Sequence, residues 1–229
     1  MSIADKLTAI AENEQKVYDS GKTAEWSQFW DIFQQNGERT NYDKAFASAG
    51  WTESTFDPKY SMDVSNGYMM FNGSRIKVDL VDFLEKRGLT LTVNSRADVR
   101  YMFSNTHFTR VGVVDLTEVT EAYTAYLFYN NTKLETIDLL ILADKPYQNA
   151  TIFQNCSALK NLRIQGVVAS NFDAQWCPLS VDSLMSVINA LKDYSGSGTT
   201  YTCKLGSTNL AKLTDTEKAI ATEKGWTLA

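Results

Sequence analysis

The chain has 229 residues, 44% apolar and 21% charged, with 12 glycines and 3 prolines. Those proportions suit one or two compact domains and exclude collagen, a charged disordered tail and a disulfide-dense mini-scaffold. The net charge of −5, from 27 acidic and 22 basic residues, argues against a broad phosphate-binding face, so no nucleic-acid partner is expected. No stretch approaches the roughly 18 uninterrupted apolar residues of a membrane helix, and no membrane partner is expected. The single histidine, His107, and the cysteines Cys156, Cys177 and Cys203, spaced by 21 and 26, form no zinc, redox or triad pattern. Buried thiols are the plain reading, with no cofactor, no metal and no catalytic residue. The opening Met-Ser-Ile-Ala-Asp-Lys lacks the basic-then-apolar pattern of a signal peptide.

Residues 2–36 read as a helix, with Ser2 and Asp5 as a capping pair and an apolar stripe through Ile3, Leu7, Ile10 and Val17. Trp26, Phe29, Trp30 and Phe33 follow, and Gly37 is a stop signal. A narrow stripe on a long helix must fold back on the chain or pair with other copies as a homo-oligomer; both remain open. From Trp26 to Tyr60 there are nine aromatics in 35 residues. They are expected to form a small core, with a sugar-stacking surface or an oligomer interface as the alternatives. Residues 57–68 read as a linker, because Pro58 and Asn66-Gly67 favour turns.

The middle of the chain repeats. Met102-Phe103-Ser104-Asn105 precedes Phe108, Val111 and Val113. Leu127-Phe128-Tyr129-Asn130 precedes Leu134, Ile137 and Leu139, and Ile152-Phe153-Gln154-Asn155 precedes Leu159, Leu162 and Ile164. The phenylalanines recur every 25 residues, and each apolar triplet has L-x-x-L-x-L spacing. Both properties match leucine-rich repeats, whose period is about 20–29 residues. A degenerate earlier copy starts at Met70-Phe71-Asn72, 32 residues before the next phenylalanine. Each triplet should form an inward-facing strand of a parallel sheet, with Phe103, Phe128 and Phe153 filling the far wall. Asn105, Asn130 and Asn155 should form a structural ladder that satisfies backbone groups at the bends.

From Leu179 the character changes. Ser180 caps a helix running to about Tyr194. Tyr201 to Leu205 alternates like a strand, Thr214-Asp215-Thr216-Glu217 is a capping box, and Trp226-Thr227-Leu228 is a last strand. The expected architecture is α/β: a short leucine-rich-repeat solenoid with a parallel sheet. A helical, aromatic-rich arm (1–60) precedes the repeats (61–178), and an α/β capping unit (179–229) closes them.

The Phe-x-Asn repeats with their L-x-x-L-x-L strands resemble the BspA-like leucine-rich repeat family of bacteria and their phages. The opening segments Ile3-Ala4-Asp5-Lys6-Leu7, Phe29-Trp30-Asp31 and Gln34-Gln35-Asn36-Gly37 look like leucine-rich repeat proteins of phages and prophages of gut Firmicutes. So do the closing segments Ile188-Asn189-Ala190-Leu191, Leu205-Gly206-Ser207 and Lys218-Ala219-Ile220-Ala221-Thr222. The resemblance implies a non-enzymatic binding protein of the virion, near the tail tip. Its implied partners are a host-surface glycan or protein and other virion proteins.

If the triplets face inward, three outward rows follow: Thr109, Glu135 and Lys160; Arg110, Thr136 and Asn161; Gly112, Asp138 and Arg163. Arg110, Glu135, Thr136, Asp138, Lys160, Asn161 and Arg163 are the candidate binding face. His107 reads as a loop residue, and the pairs Asp79/Asp82 and Glu118/Glu121 as solvated charge. The rival functions are an intracellular prophage protein that binds a host protein, and a glycan-acting enzyme with two facing carboxylates.

Overall fold

The computed structural model describes residues 29–48, 56–147 and 149–229. Most of the helix expected over 2–36, including its Ser2/Asp5 cap, lies outside them. Its end is helical over 29–33 and tightens into the 3-10 turn Gln35–Gly37. Trp30, Phe33, Tyr42, Phe46 and Phe56 are buried together, so the described part of the aromatic segment is core. Gln34 stitches this end down: its Oε1 accepts from Lys59 N at 2.8 Å and its Nε2 donates to Tyr60 O at 2.8 Å.

The architecture is mixed α/β with three small parallel sheets and short helices. β1 (Met62–Asn66) pairs with β2 (Leu91–Asp98). β3 (Arg110–Asp115), β4 (Thr136–Leu142) and β5 (Asn161–Gly166) form the second sheet, in that order. β6 (Phe172–Asp173), β7 (Tyr201–Lys204) and β8 (Trp226–Leu228) form the third. The helices are α1 (Leu80–Glu85), α2 (Asn149–Ile152), α3 (Val181–Ala190), α4 (Ser207–Leu210) and α5 (Asp215–Glu223).

A wall of turns runs beside these sheets. Phe46, Phe71, Phe103, Phe128 and Phe153 stack at centroid distances of 5.0, 5.7, 5.5 and 5.9 Å, with planes 16° apart or less. Each turn also donates backbone hydrogen bonds to the next: Phe46 N to Met70 O, Phe71 N to Met102 O, Phe103 N to Leu127 O and Phe128 N to Ile152 O, all 2.8–3.0 Å. The stack therefore reaches back to Phe46, one level before the earliest copy visible in the sequence.

The turns explain the Phe-x-Asn motif. The residue two after each phenylalanine lies in the left-handed region: Ser48, Gly73, Asn105, Asn130 and Asn155 have φ of 47, 72, 53, 58 and 61°. Asparagine and glycine tolerate that conformation best. The asparagine side chains bond one another rather than the backbone: Asn130 Nδ2 donates to Asn105 Oδ1 at 2.7 Å, and Asn105 Nδ2 to Asn72 Oδ1 at 3.1 Å. The expected backbone role falls one residue later. Buried Asn131 accepts from Thr106 N at 2.7 Å and donates to Phe103 O at 2.6 Å. Cys156 Sγ takes the same place one level on, donating to Phe128 O at 3.0 Å.

Four other expectations are corrected. The 57–68 linker contains β1, whose Met62 and Val64 are buried between exposed neighbours. The helix after Ser180 stops at Ala190, because Leu191 turns away to bridge Val168. Val113 is 56% exposed and Leu139 is only partly buried; Val114 and Leu140 take the inward places. β4 carries one more residue than β5 between paired positions Ile137/Leu162 and Leu140/Ile164, and such an offset flips side-chain parity. The serine cap, capping box and final strand stand as read: Ser180 accepts from Ser183 N, Thr214 and Glu217 cap α5 reciprocally, and Trp226 opens β8.

Candidate functional site

The sheet β3-β4-β5 is a floor between two helices that start in its plane. Asp79, the N-cap of α1, bridges Arg110 at the β3 edge, and its carboxylate accepts from Asp82 N. Gly112 lets α1 approach, since a Cβ there would meet Val81 Cγ2 at 3.0 Å. At the other edge, Ser180 N donates to Lys160 O as α3 begins. Two serine hydroxyls of α3 then stand in for a neighbouring strand. Leu162 N donates to Ser183 Oγ at 2.9 Å, and Ile164 N donates to Ser186 Oγ at 2.8 Å. Both edges are thereby closed to further strand pairing.

A groove of about 640 Å³ lies over this floor. Arg110, Thr136, Asp138, Asn161 and Arg163 line it from the strands, and Ser180, Asp182 and Ser186 from α3. Arg110, Thr136 and Asn161 are in register on adjacent strands, as the outward rows require. Glu135 and Lys160 are exposed nearby but do not line the groove. Arg110 grips Asp138 through two bonds of 2.8 and 2.9 Å, with Asp79 at 3.5 Å on its other side. Those bonds, chiefly the one with Asp138, hold the Arg110 guanidinium above its ordinary pKa. Asn161 Nδ2 donates to Thr136 Oγ1 at 3.1 Å. Among the described residues Arg163 and Asp182 have no ion-pair partner, so the groove offers one cation and one carboxylate to a ligand, alongside hydroxyl and amide groups. An apolar hollow of about 160 Å³ lies between α1 and β3, lined by Val81, Leu84, Leu89 and Val113.

Ser180, Asp182 and Ser186 were not among the expected site residues. Ser180 carried a signal, its capping position, but that signal says nothing of which strand the helix lies against. His107 is exposed in its loop. The three cysteines are free and buried. Burial pushes the Cys203 thiol up to about 12. Cys177 is raised chiefly by its hydrogen bond with Cys156, and by burial. Neither thiol is poised as a nucleophile. Among the described residues no cluster of side chains suits a metal ion, and no helix is long and apolar enough to cross a membrane.

The chain matches no protein-family model, no curated protein and no solved structure.

Proposed function

We propose that this chain is a short leucine-rich-repeat solenoid of the BspA-like kind that works by binding and carries out no reaction of its own. The observation that carries the reading is the groove on β3-β4-β5. It gathers Arg110, Thr136, Asp138, Asn161 and Arg163 from three successive repeats into one polar surface. Asp138, the floor carboxylate, is already engaged by Arg110 through two bonds, which favours a recognition surface over acid–base chemistry. The ligand is a host-surface glycan or protein. The resemblance of both chain ends to phage-encoded proteins supports a place in the virion, among other virion proteins, with the N-terminal helix expected over 2–36 as the attachment or oligomerisation segment.

Two measurements test this. Mass spectrometry of purified particles should find the protein at stoichiometric level; its absence would exclude the virion assignment. Binding of the purified chain to host cell envelopes should fall at least about tenfold in a double variant, Asn161→Ala with Arg163→Ala, that melts like the parent. Equal binding by parent and variant would remove the groove from the account.

A further inference from the structure

The strands are interrupted between β2 and β3, which do not pair, and the apolar hollow of about 160 Å³ lies at that gap. Val81 and Leu84 of α1, Leu91 of β2, and Gly112 and Val113 of β3 line it, together with buried Phe103. The polar side chains that reach it, Glu85 and Thr90, are exposed and stand at its rim. An apolar cavity of about 150 Å³ admits a benzene-sized group, so a phenyl or isobutyl side chain fits here. Val113 is 56% exposed, a valine left in water beside an apolar hollow. An exposed apolar side chain at the mouth of a pocket is where a ligand gains most from burial.

The hollow and the groove share one floor. Arg110 lines the groove, and Gly112, two residues on along β3, lines the hollow. Val113 pairs in register with half-buried Leu139 on β4. On β5, Arg163 falls between the pairs Ile137/Leu162 and Leu140/Ile164, opposite Asp138 and Leu139. The hollow and Arg163 are therefore two strand spacings apart, about 10 Å. Between them the floor satisfies itself: Arg110 grips Asp138, and Asn161 bonds Thr136. The charges along this line are ordered. Glu85 stands at the hollow and Arg163 at the far end, and among the described residues neither has an ion-pair partner. A ligand with one apolar group and one carboxylate can lie only one way round, with the carboxylate at Arg163.

We propose that the hollow is the side-chain pocket for one bulky apolar residue, phenylalanine or leucine, of an extended peptide that crosses the groove floor and sets a carboxylate on Arg163. The inference rests on the groove reading above and narrows its ligand to a protein segment. Both sheet edges are closed, so the peptide lies across the strands rather than adding to them. In polyproline-II geometry, residues three apart share one face and lie about 9 Å apart, which matches two strand spacings. Asp182, past Arg163 on α3, takes a peptide N–H as acceptor. A sugar ring carries no group apolar enough for the hollow, and the self-satisfied floor offers its hydroxyls little.

The test is titration of the full chain with blocked hexapeptides, acetyl-Ser-Ser-X-Ser-Ser-Glu-amide and the reversed sequence, where X is phenylalanine, leucine or alanine. Calorimetry reads the affinity and methyl nuclear magnetic resonance reads the place. In one chain direction the phenylalanine or leucine peptide should saturate below about 10 mM and bind at least about tenfold tighter than the alanine peptide. Glutamine in place of its glutamate should weaken it about threefold. The methyl signals of Val81 and Val113 should shift. Val113→Asp, at an exposed position, should melt like the parent and reduce the preference over alanine to under about twofold. Equal binding of the alanine peptide, binding that leaves both methyl signals unmoved, or no saturation by about 10 mM would overturn the inference. So would shifts of the same methyl signals by a trisaccharide of N-acetylglucosamine. The envelope assay decides the groove separately. If Asn161→Ala with Arg163→Ala loses envelope binding while the peptides ignore the hollow, this inference falls and the groove stands. If that variant keeps envelope binding while the peptides use the hollow, the groove's envelope role falls and the hollow stands.

Discussion

The wall of turns and the wall of strands are built from the same stretch of chain, yet the first runs unbroken from Phe46 to Phe153 while the second is cut between β2 and β3. Between Phe71 and Phe103 the spacing is 32 residues instead of 25, but the two rings remain 5.7 Å apart and 9° from parallel. The surplus chain is taken up on the strand side. There α1 occupies the place beside β3 that a strand would fill, and Asp79 keeps only a single bridge to Arg110. The wall of turns needs little from each level: one phenylalanine, one left-handed position two residues later and alternate backbone bonds. The strand wall needs register over several residues, so an insertion breaks it. Stability can thus reside in the turns while the strand face, bounded by helices, is free to vary as a surface.

That division ranks the expected effects of substitution. The largest belongs to the middle of the phenylalanine stack. Phe128→Ala removes a fully buried ring between Phe103 and Phe153 and should cost about 3–5 kcal/mol in denaturant unfolding. A cost under about 1 kcal/mol would show that the stack does not hold the levels together. Next comes the serine edge. Ser183→Ala leaves Leu162 N without its partner in a buried setting and should cost about 1–3 kcal/mol, with Ser186→Ala at the lower end of that range. If the pair costs nothing, α3 is not acting as a surrogate strand. Smaller still is Arg110→Ala. Its bonds to Asp138 are well formed but more than a third of the Arg110 side chain is exposed, and solvent screening should keep the cost at or below about 1 kcal/mol. The same variant should lower envelope binding clearly, which separates the roles of the two walls.

The smallest effect is a pH dependence at the start of the described chain. Hydrogen bonds from Lys59 and Tyr60 hold the Asp31 carboxyl below its ordinary range. A depressed folded-state pKa contributes stability above the unfolded value, near pH 4, and that contribution fades as pH falls through the folded value. Nuclear magnetic resonance at the Tyr60 ring should therefore report loosening below about pH 4, and Asp31→Asn should abolish that dependence. Loosening that is already complete above about pH 4, or that persists in Asp31→Asn, would contradict the assignment.

Much of the wall of turns was legible in the sequence, because a phenylalanine and a residue in left-handed conformation recur at fixed spacing. Phe46 escaped because Ser48 stands where asparagine marks the later copies. The Phe71 copy aligns on its phenylalanine, but it lacks the asparagine two residues on, where Gly73 takes the left-handed position. The strand face was only partly legible. Rows such as Arg110, Thr136 and Asn161 follow from the period alone. With apolar side chains at both Val113 and Val114, however, composition cannot say which faces inward, and it is Val114 that is buried. β1 was hidden because the turn signals at Pro58 and Asn66-Gly67 outweigh the short alternation of Met62 and Val64. Ser183 and Ser186 looked like ordinary helix residues, since their role exists only once β5 lies beside them.

Hydrogen exchange of the native chain tests the central claim most directly. If the wall of turns is one continuous unit, the amides of Phe71, Phe103, Asn105, Phe128 and Asn130 should share one high opening free energy, close to that of global unfolding, despite the insertion at α1. If Phe71 exchanges faster than Phe103 and Phe128 by about a hundredfold or more, the wall is divided where the strands are divided, and the account is contradicted.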